Sequence, residues 1–266
     1  MSQAIKRIDW RVFGILLGLG LLGILAMLPY IVDMLQSSIM TRIPSSDIPL
    51  ALVIPLALVQ NGILLSATIL IGMLVAKPIG LRMPLISAWA NRERPENVRA
   101  IVLCGILVGA AVGVALVAIE ALFFLKRLPA AMLPLFDIPV AKRVLAGVVY
   151  GGFTEELLMR LFLLSLVAWI LGRFWKTADG LPASGAFWTA IILVAIMFGL
   201  GHLPATSAIA PITPLLVVRA IVLNGVAGIA FGYLYWKRGL EAAMLAHMIT
   251  HVVMQIPGVM LLKSML

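Results

Sequence analysis

Charged residues are scarce in this chain. They make up 12% of its 266 residues, whereas 63% of the residues are hydrophobic. Soluble domains are typically about one-quarter charged and about half apolar. Uncharged runs here reach the roughly 20 residues that a helix needs to cross the hydrocarbon core of a bilayer. The composition therefore excludes an ordinary soluble domain and predicts an integral membrane protein surrounded by lipid.

Cysteine is almost absent as well, since Cys104 is the sole example and lies in an apolar run. A single cysteine excludes an internal disulfide, a cysteine-rich zinc cluster and a CxxC redox site. The net charge is +9, but the basic residues gather mostly in short loops, where they orient the spans and meet anionic headgroups. No basic stripe with interleaved aromatic residues occurs, so nucleic-acid binding is excluded.

The apolar runs predict an all-α fold, a polytopic transmembrane helix bundle of about seven to eight spans. We assign seven spans, at residues 12–35, 50–76, 100–124, 144–172, 186–203, 213–236 and 240–262. The segment 126–143 contains Pro129, Pro134 and Pro139 and cannot form one straight helix. Its basic ends and apolar middle favour a segment that lies in the membrane interface, with an ordinary loop or a half-entering helix as alternatives.

The loop charges predict the orientation of the chain. With a cytoplasmic N-terminus, twelve Lys and Arg residues fall in inner loops and six in outer loops. This bias favours a cytoplasmic N-terminus, and we expect a multi-pass protein of the bacterial plasma membrane. Four of the six outer charges lie in the segment 126–143. An extra or half-entering helix there would invert the membrane orientation of the second half of the chain.

Three charged residues, Glu155, Glu156 and Arg160, lie near the middle of the fourth apolar run. A charge at the bilayer centre costs from ~3 to ~15 kcal/mol, so such residues need a structural or functional reason. Glu156 and Arg160 are four residues apart and can form an ion pair on one helix face, for which a purely structural role is favoured. Glu155 is rotated by about 100° and stays free for proton chemistry, so it is the candidate catalytic residue.

The three histidines of the chain, His202, His247 and His251, all lie in or at the end of apolar runs. His247 and His251 are four residues apart, the spacing at which a helix presents two nitrogens to one metal ion. Phe198 precedes His202 by one turn and can form a wall beside its ring. A lone buried histidine is more often held by a backbone carbonyl, but three of them with a carboxylate pair favour one shared site.

The sixth span contains two further polar residues, Arg219 and Asn224. We expect Arg219 to extend to the membrane interface. Asn224 either hydrogen-bonds between helices, which is the favoured interpretation, or helps to bind a substrate. The aromatic run Phe231–Trp236 closes this span and is typical of an anchor at the membrane surface.

A buried carboxylate with neutral imidazoles around a water molecule is suited to peptide hydrolysis. Glu155 would take a proton from water, and the histidines would either hold a metal that acidifies this water or stabilise the oxyanion directly. The chain contains no HExxH, GxSG or GxGD motif. The patterns of the zinc, serine and aspartyl intramembrane proteases are therefore absent.

An ordered set of motifs spans the second half of the chain: EExxxR, then FxxxH, then an apolar helix ending in FGYLYWKRG, then HxxxH. With these spacings, the set resembles the CAAX protease and bacteriocin-processing family of membrane proteins, which includes the type II CAAX prenyl endopeptidases. The resemblance covers about residues 144–254, the fourth to seventh spans. It leaves the first three spans outside.

The resemblance implies roles for the residues that match its motifs. Glu155 corresponds to the catalytic base, and Glu156 and Arg160 are its companions. Phe198 and His202 form the second motif.

His247 heads the last motif, in which the family usually has Asn four residues later, where this chain has His251. An imidazole at that position can donate a hydrogen bond to an oxyanion, but it can also bind metal. The departure therefore leaves zinc as a possible cofactor, with His202, His247 and His251 as its tentative ligands.

The resemblance implies an intramembrane endopeptidase that hydrolyses a membrane-associated or lipidated peptide. The alternative is a non-catalytic membrane protein of the same frame, such as a bacteriocin immunity factor, a transporter or a scaffold. Transporters often show inverted repeats, which this chain lacks. We divide the chain into an N-terminal transmembrane region (1–143), a catalytic core (144–254) and the end of the last span (255–266).

Overall fold

The computed structural model describes residues 8–39 and 50–266. Within these two ranges its regular elements are helical, apart from a single β-bridge between Lys176 and Pro182. The main helices are α1 (Trp10–Ile39), α2 (Leu50–Ala76), α3 (Pro84–Asn91), α4 (Val98–Ile119), α5 (Val140–Phe174), α6 (Ser184–Gly201), α7 (Leu203–Ser207), α8 (Pro214–Arg238) and α9 (Leu240–Ser264).

Seven helices in the described part of the chain are long and apolar enough to cross a membrane. They are α1, α2, α4, α5, α6, α8 and α9, so the predicted all-α transmembrane bundle is confirmed. The proline-rich segment after α4 adds no further long helix. It forms a short 3₁₀ helix, Ala130–Asp137, whose Met132 side chain is buried against Ala210 and Leu216.

Helix α1 begins with a side-chain cap supplied by Asp9. Its carboxylate accepts hydrogen bonds from the backbone N–H groups of Arg11 and Val12, at 3.0 and 3.2 Å. It also accepts one from the amide of Asn91, at 2.8 Å, at the end of α3. These bonds, that from Asn91 above all, hold the pKa of Asp9 below its usual value. The start of the bundle is thereby fixed to the short helix α3.

Glycines allow close contact between the helices that carry the site. Gly105, Gly109 and Gly113 lie four residues apart on α4, and a Cβ at any of them would collide with α9. The close approach lets the Thr250 hydroxyl of α9 donate to the Gly109 carbonyl at 2.9 Å. Such small-residue faces are a usual basis of helix packing in membranes, where burial of apolar surface does not favour helix association.

An ion pair joins α8 to the end of α4. The Arg219 Nε lies 2.9 Å from a carboxylate oxygen of Glu120, which is 5% exposed in a π-helical turn, Glu120–Phe124. The prediction that Arg219 extends to the interface overlooked this partner, because Glu120 is distant in sequence and belongs to a different span.

The aromatic run at the end of α8 is only partly an exposed anchor. Phe231 and Tyr235 are buried, and the Tyr235 hydroxyl lies 2.9 Å from the Ser165 hydroxyl of α5. The interface prediction was therefore wrong for these two residues. They face the core because they lie four residues apart on the side of α8 that packs against α5 and α6.

Candidate active site

Helix α5 contains two π-helical stretches, Ala146–Glu155 and Leu157–Leu164. A π-helix is bonded from residue i to i+5, is rare, and often occurs at functional sites. The predicted charged residues all lie in or between these stretches. The sequence pattern was interpreted with ordinary α-helical spacing, so the two π-helical stretches were not predicted.

The Glu156 carboxylate is completely buried and fixed from two sides. One oxygen, Oε1, lies 3.1 Å from Nη1 of Arg160 and 2.8 Å from Nδ1 of His247. The first contact is the predicted ion pair within one helix. The second links α5 to α9 and was not predicted. Glu156 therefore connects a guanidinium and an imidazole in the protein interior.

The Arg160 guanidinium lies between two aromatic rings. Its central carbon is 5.2 Å from the ring centroid of Phe198 and 5.5 Å from that of Phe231. Cation–π contacts of this kind are worth more when they are desolvated, as here, where the side chain is 1% exposed. The aromatic pair and Glu156 together account for a charge in an apolar helix.

Glu155 has a different environment from its neighbour. Its side chain is 19% exposed, and its Oε2 lies 3.7 Å from Nε2 of His247. That distance exceeds a direct hydrogen bond and suits a contact through a water molecule. The two adjacent glutamates thus contact opposite nitrogens of one imidazole, and Glu155 alone borders open space.

The other two histidines are held differently. Nδ1 of His202 lies 2.8 Å from the carbonyl oxygen of Phe198, one turn earlier in α6, and the two rings meet edge to face. The rings of His247 and His251 are stacked with centroids 5.1 Å apart. Nδ1 of His251 is buried and makes no hydrogen bond within the described residues.

Two glycines of α5 make room for the stacked imidazoles. A Cβ at Gly151 would lie 3.0 Å from Nε2 of His247 and 3.2 Å from Nε2 of His251, and one at Gly147 would collide with the His251 ring. Any larger residue at Gly147 would displace His251. The close fit therefore depends on the sequence of α5 as much as on that of α9.

The predicted residues surround one cavity of about 480 Å³. Its walls are mostly apolar. Of the predicted site residues, those that line it are Glu155, Phe198, His202, Asn224, His247 and His251. The amide of Asn224 donates to the Ala220 carbonyl of its own helix at 2.9 Å, and the favoured bond between helices is not seen among the described residues.

The residues present provide no ready metal site. Within residues 8–39 and 50–266, no group of three or more His, Cys, Asp or Glu side chains has the spacing to hold a metal ion. The pattern of hydrogen bonds nevertheless resembles that around metal ligands, because His202 and His247 each engage Nδ1 and form no direct hydrogen bond through Nε2 within the described residues. The three tentative zinc ligands share the cavity without forming a cluster.

Comparison with known families finds a match to the second half of the chain. Residues 138–253 match the model of the family described as "Type II CAAX prenyl endopeptidase Rce1-like". This segment, a little under half of the chain, is therefore similar to the Rce1-like family. The family is one of CAAX-type intramembrane endopeptidases, so protease activity is supported at family level. No curated protein and no solved structure matches the chain.

The Rce1-like segment contains every predicted site residue, but it does not complete the cavity alone. Met27 and Tyr30 of α1 and Leu116 of α4 also line it. Within the segment, sequence analysis missed Arg143 and Phe231. Arg143 was counted among the loop charges just before the fourth span, so no signal singled it out, whereas the role of Phe231 depends on tertiary packing.

Proposed function

We propose that this protein is an intramembrane endopeptidase in which Glu155 activates a water molecule for attack on a peptide carbonyl. The observation that carries the proposal is the position of Glu155, whose Oε2 lies at the cavity, 3.7 Å from Nε2 of His247. A water beside these two atoms, within hydrogen-bond distance of both, can donate one hydrogen bond to each of them. Its oxygen is then free to attack.

The hydrogen bonds of His247 support this arrangement. A neutral imidazole that donates from Nδ1 presents a lone pair at Nε2. The carboxylate of Glu156, which is paired with Arg160, is an acceptor for Nδ1–H. His247 is thus suited to orient the water rather than to donate to an oxyanion.

His202 is restricted in the same way. Its Nδ1 contacts a backbone carbonyl, which only accepts hydrogen bonds, so the neutral ring has a lone pair at Nε2. Among the three imidazoles, His251 alone has an Nδ1 without such a partner in the described structure. We therefore assign the donor to the oxyanion to Nε2–H of His251, at the position where the family usually has Asn.

Hydrolysis then proceeds in two steps, with Glu155 carrying a proton between them. Glu155 takes one proton as the water oxygen bonds to the carbonyl carbon, and the negative charge on the former carbonyl oxygen accepts the His251 hydrogen bond. Glu155 next returns the proton to the leaving amine as the carbon–nitrogen bond breaks. The products are a new carboxyl terminus and a new amine.

Zinc is the second candidate for water activation. The observation that favours it is that His202 and His247 each engage Nδ1, while Nε2 of neither ring forms a direct hydrogen bond to any described residue. If zinc binds, these residues and His251 would hold it, and the metal would lower the pKa of a bound water.

The experiment is a cleavage assay in phosphatidylcholine nanodiscs with a panel of lipidated and plain transmembrane peptides, analysed by mass spectrometry. We expect cleavage of at least one lipidated peptide, and none by Glu155→Gln. Glu93→Gln, in an exposed loop, is the matched control. Failure of the folded protein to cleave any peptide would favour the non-catalytic alternative, an immunity factor, transporter or scaffold.

A further inference from the structure

A second charged residue of the cavity, Arg143, is buried without an acidic partner. Its side chain lies near the beginning of α5, and the residue is 6% exposed. Nη1 donates to the Phe136 carbonyl at 3.1 Å, while Nε has no hydrogen bond within the described part of the chain. A buried cation normally has a charged or multiply hydrogen-bonded partner, so this arrangement leaves binding capacity unused.

Acidic side chains in this region are already engaged with other cations. Asp33 lies 2.7 Å from Lys142, and Asp137 lies 2.8 Å from Lys263. Glu120 is paired with Arg219, the other arginine that lines the cavity. Arg143 therefore contributes a positive charge that no described carboxylate balances at ion-pair distance.

This charge and the proposed base lie on one face of α5. Arg143, Gly147, Gly151 and Glu155, each four residues after the last, all line the same cavity. Twelve helical steps separate the two ends, or at most about 18 Å at the rise of an α-helix. An extended peptide covers about 3.3–3.6 Å per residue. A chain lying along this face would reach Arg143 within about five residues of the bond at Glu155.

We propose that Arg143 binds a carboxylate of the substrate, terminal or on a side chain, within about five residues of the cleaved bond. This inference rests on the proposed endopeptidase function. Arginine binds carboxylates with strong, charge-assisted hydrogen bonds. A monoanion fits better than a phosphate dianion, because Arg143 is the single unbalanced cation among the described residues that line the cavity, and Glu120 and Glu155 are nearby negative charges.

The test measures binding without cleavage. A fluorescent, farnesylated Cys-Val-Ile-Met peptide is prepared as the free acid and as the amide, and its affinity is measured for Glu155→Gln protein in phosphatidylcholine nanodiscs. We expect the acid to bind about ten- to a hundredfold more tightly than the amide. Adding Arg143→Gln should remove that preference. Adding Lys142→Gln, which deletes a charge one residue away that is already paired with Asp33, should keep it.

Charge reversal gives an independent readout. Arg143→Glu should favour a peptide that ends in an aminoethyl amide, which carries a positive charge, over the free acid. A role confined to packing would not reverse the preference. The comparison of acid and amide on protein with Arg143 intact also tests the proposal, even if an Arg143 variant folds poorly.

Several results would overturn the inference. Equal affinity for acid and amide would do so, as would a preference that survives in Arg143→Gln. Loss of the preference on adding phosphatidylglycerol to the nanodiscs would assign Arg143 to a lipid phosphate instead. A peptide that binds through Arg143 but is not cleaved by protein with Glu155 intact would contradict the proposed function and leave the carboxylate site supported.

Discussion

Nδ1 of His247 lies 2.8 Å from Oε1 of Glu156, the same oxygen that lies 3.1 Å from Arg160. One carboxylate therefore orients a ring on α9 and a guanidinium on α5. Because both contacts are buried, Glu156 has no free face toward the cavity, whereas Glu155 borders it. The adjacent glutamates should consequently respond differently to the same substitution.

We expect Glu155→Gln to lower peptide hydrolysis by at least about 10²–10⁴-fold, the usual contribution of a general base, without loss of thermal stability. Glu156→Gln should lower both, because it removes the negative charge that Arg160 and His247 share and leaves a neutral amide in its place. Hydrolysis rates and detergent-solubilised melting temperatures measure the two effects. Near-normal cleavage by Glu155→Gln with an inactive but stable Glu156→Gln would reverse the assignment.

Arg160→Ala should reduce the yield of folded protein. Removing one partner of a buried ion pair typically costs ~3–5 kcal/mol, and here the contacts with Phe198 and Phe231 are lost as well. Arg173→Ala is the control, since that guanidinium lies over Trp169 in an exposed position on the same helix. Equal melting temperatures for the two variants would argue against a structural role of Arg160.

Gly147→Ala and Gly151→Ala should impair catalysis through the imidazoles that they contact. The added methyl group would push against His251 in the first case and against both stacked rings in the second. We expect lower kcat and a smaller effect on KM. Gly18→Ala is the control, because a Cβ there meets no atom within 4 Å. Full kcat in Gly147→Ala would mean that the position of His251 is unimportant.

His251→Ala should reduce the rate by about 10²–10³-fold if its ring supplies an oxyanion donor. His251→Asn should recover much of this loss, because an amide can donate a similar hydrogen bond. Zinc per chain is measured in both variants after purification without a histidine tag. We expect metal-depleted protein to stay active. Joint loss of zinc and activity in His251→Asn would instead identify His251 as a metal ligand.

Glu120→Gln should destabilise the protein more than Asp137→Asn. The first substitution leaves Arg219 without its opposite charge in a largely buried pair, whereas the second breaks an exposed pair with Lys263, typically worth less than about 1 kcal/mol. Thermal unfolding in one detergent compares the two. A larger shift for Asp137→Asn would show that the Glu120–Arg219 contact contributes little.

Charge in an apolar context made much of the site predictable. Glu155, His202 and His247 are conspicuous in long uncharged runs, because burying such groups in lipid is costly without a reason. The span pattern was predictable for the same physical reason, since backbone groups in lipid must be satisfied within helices.

The features that sequence analysis missed depend on neighbours that are distant in the chain. The burial of Phe231 against Arg160 requires the packing of α8 on α5, and the partner of Arg219 lies in α4. The π-helical stretches of α5 could not be predicted from periodicity either. A π-helix has more residues per turn than the α-helix that the sequence pattern assumes.

The glycine face between α4 and α9 bears on how much of the chain must be present for the site to exist. Helix α9 carries His247 and His251, yet the surface that receives it, including the carbonyl bonded by Thr250, belongs to α4 and lies before residue 138. The segment that matches the family model, residues 138–253, therefore lacks a helix that its own site requires. We expect 138–253 produced alone to misassemble, and a chain divided between α4 and α5 to recover function when its two fragments are co-expressed.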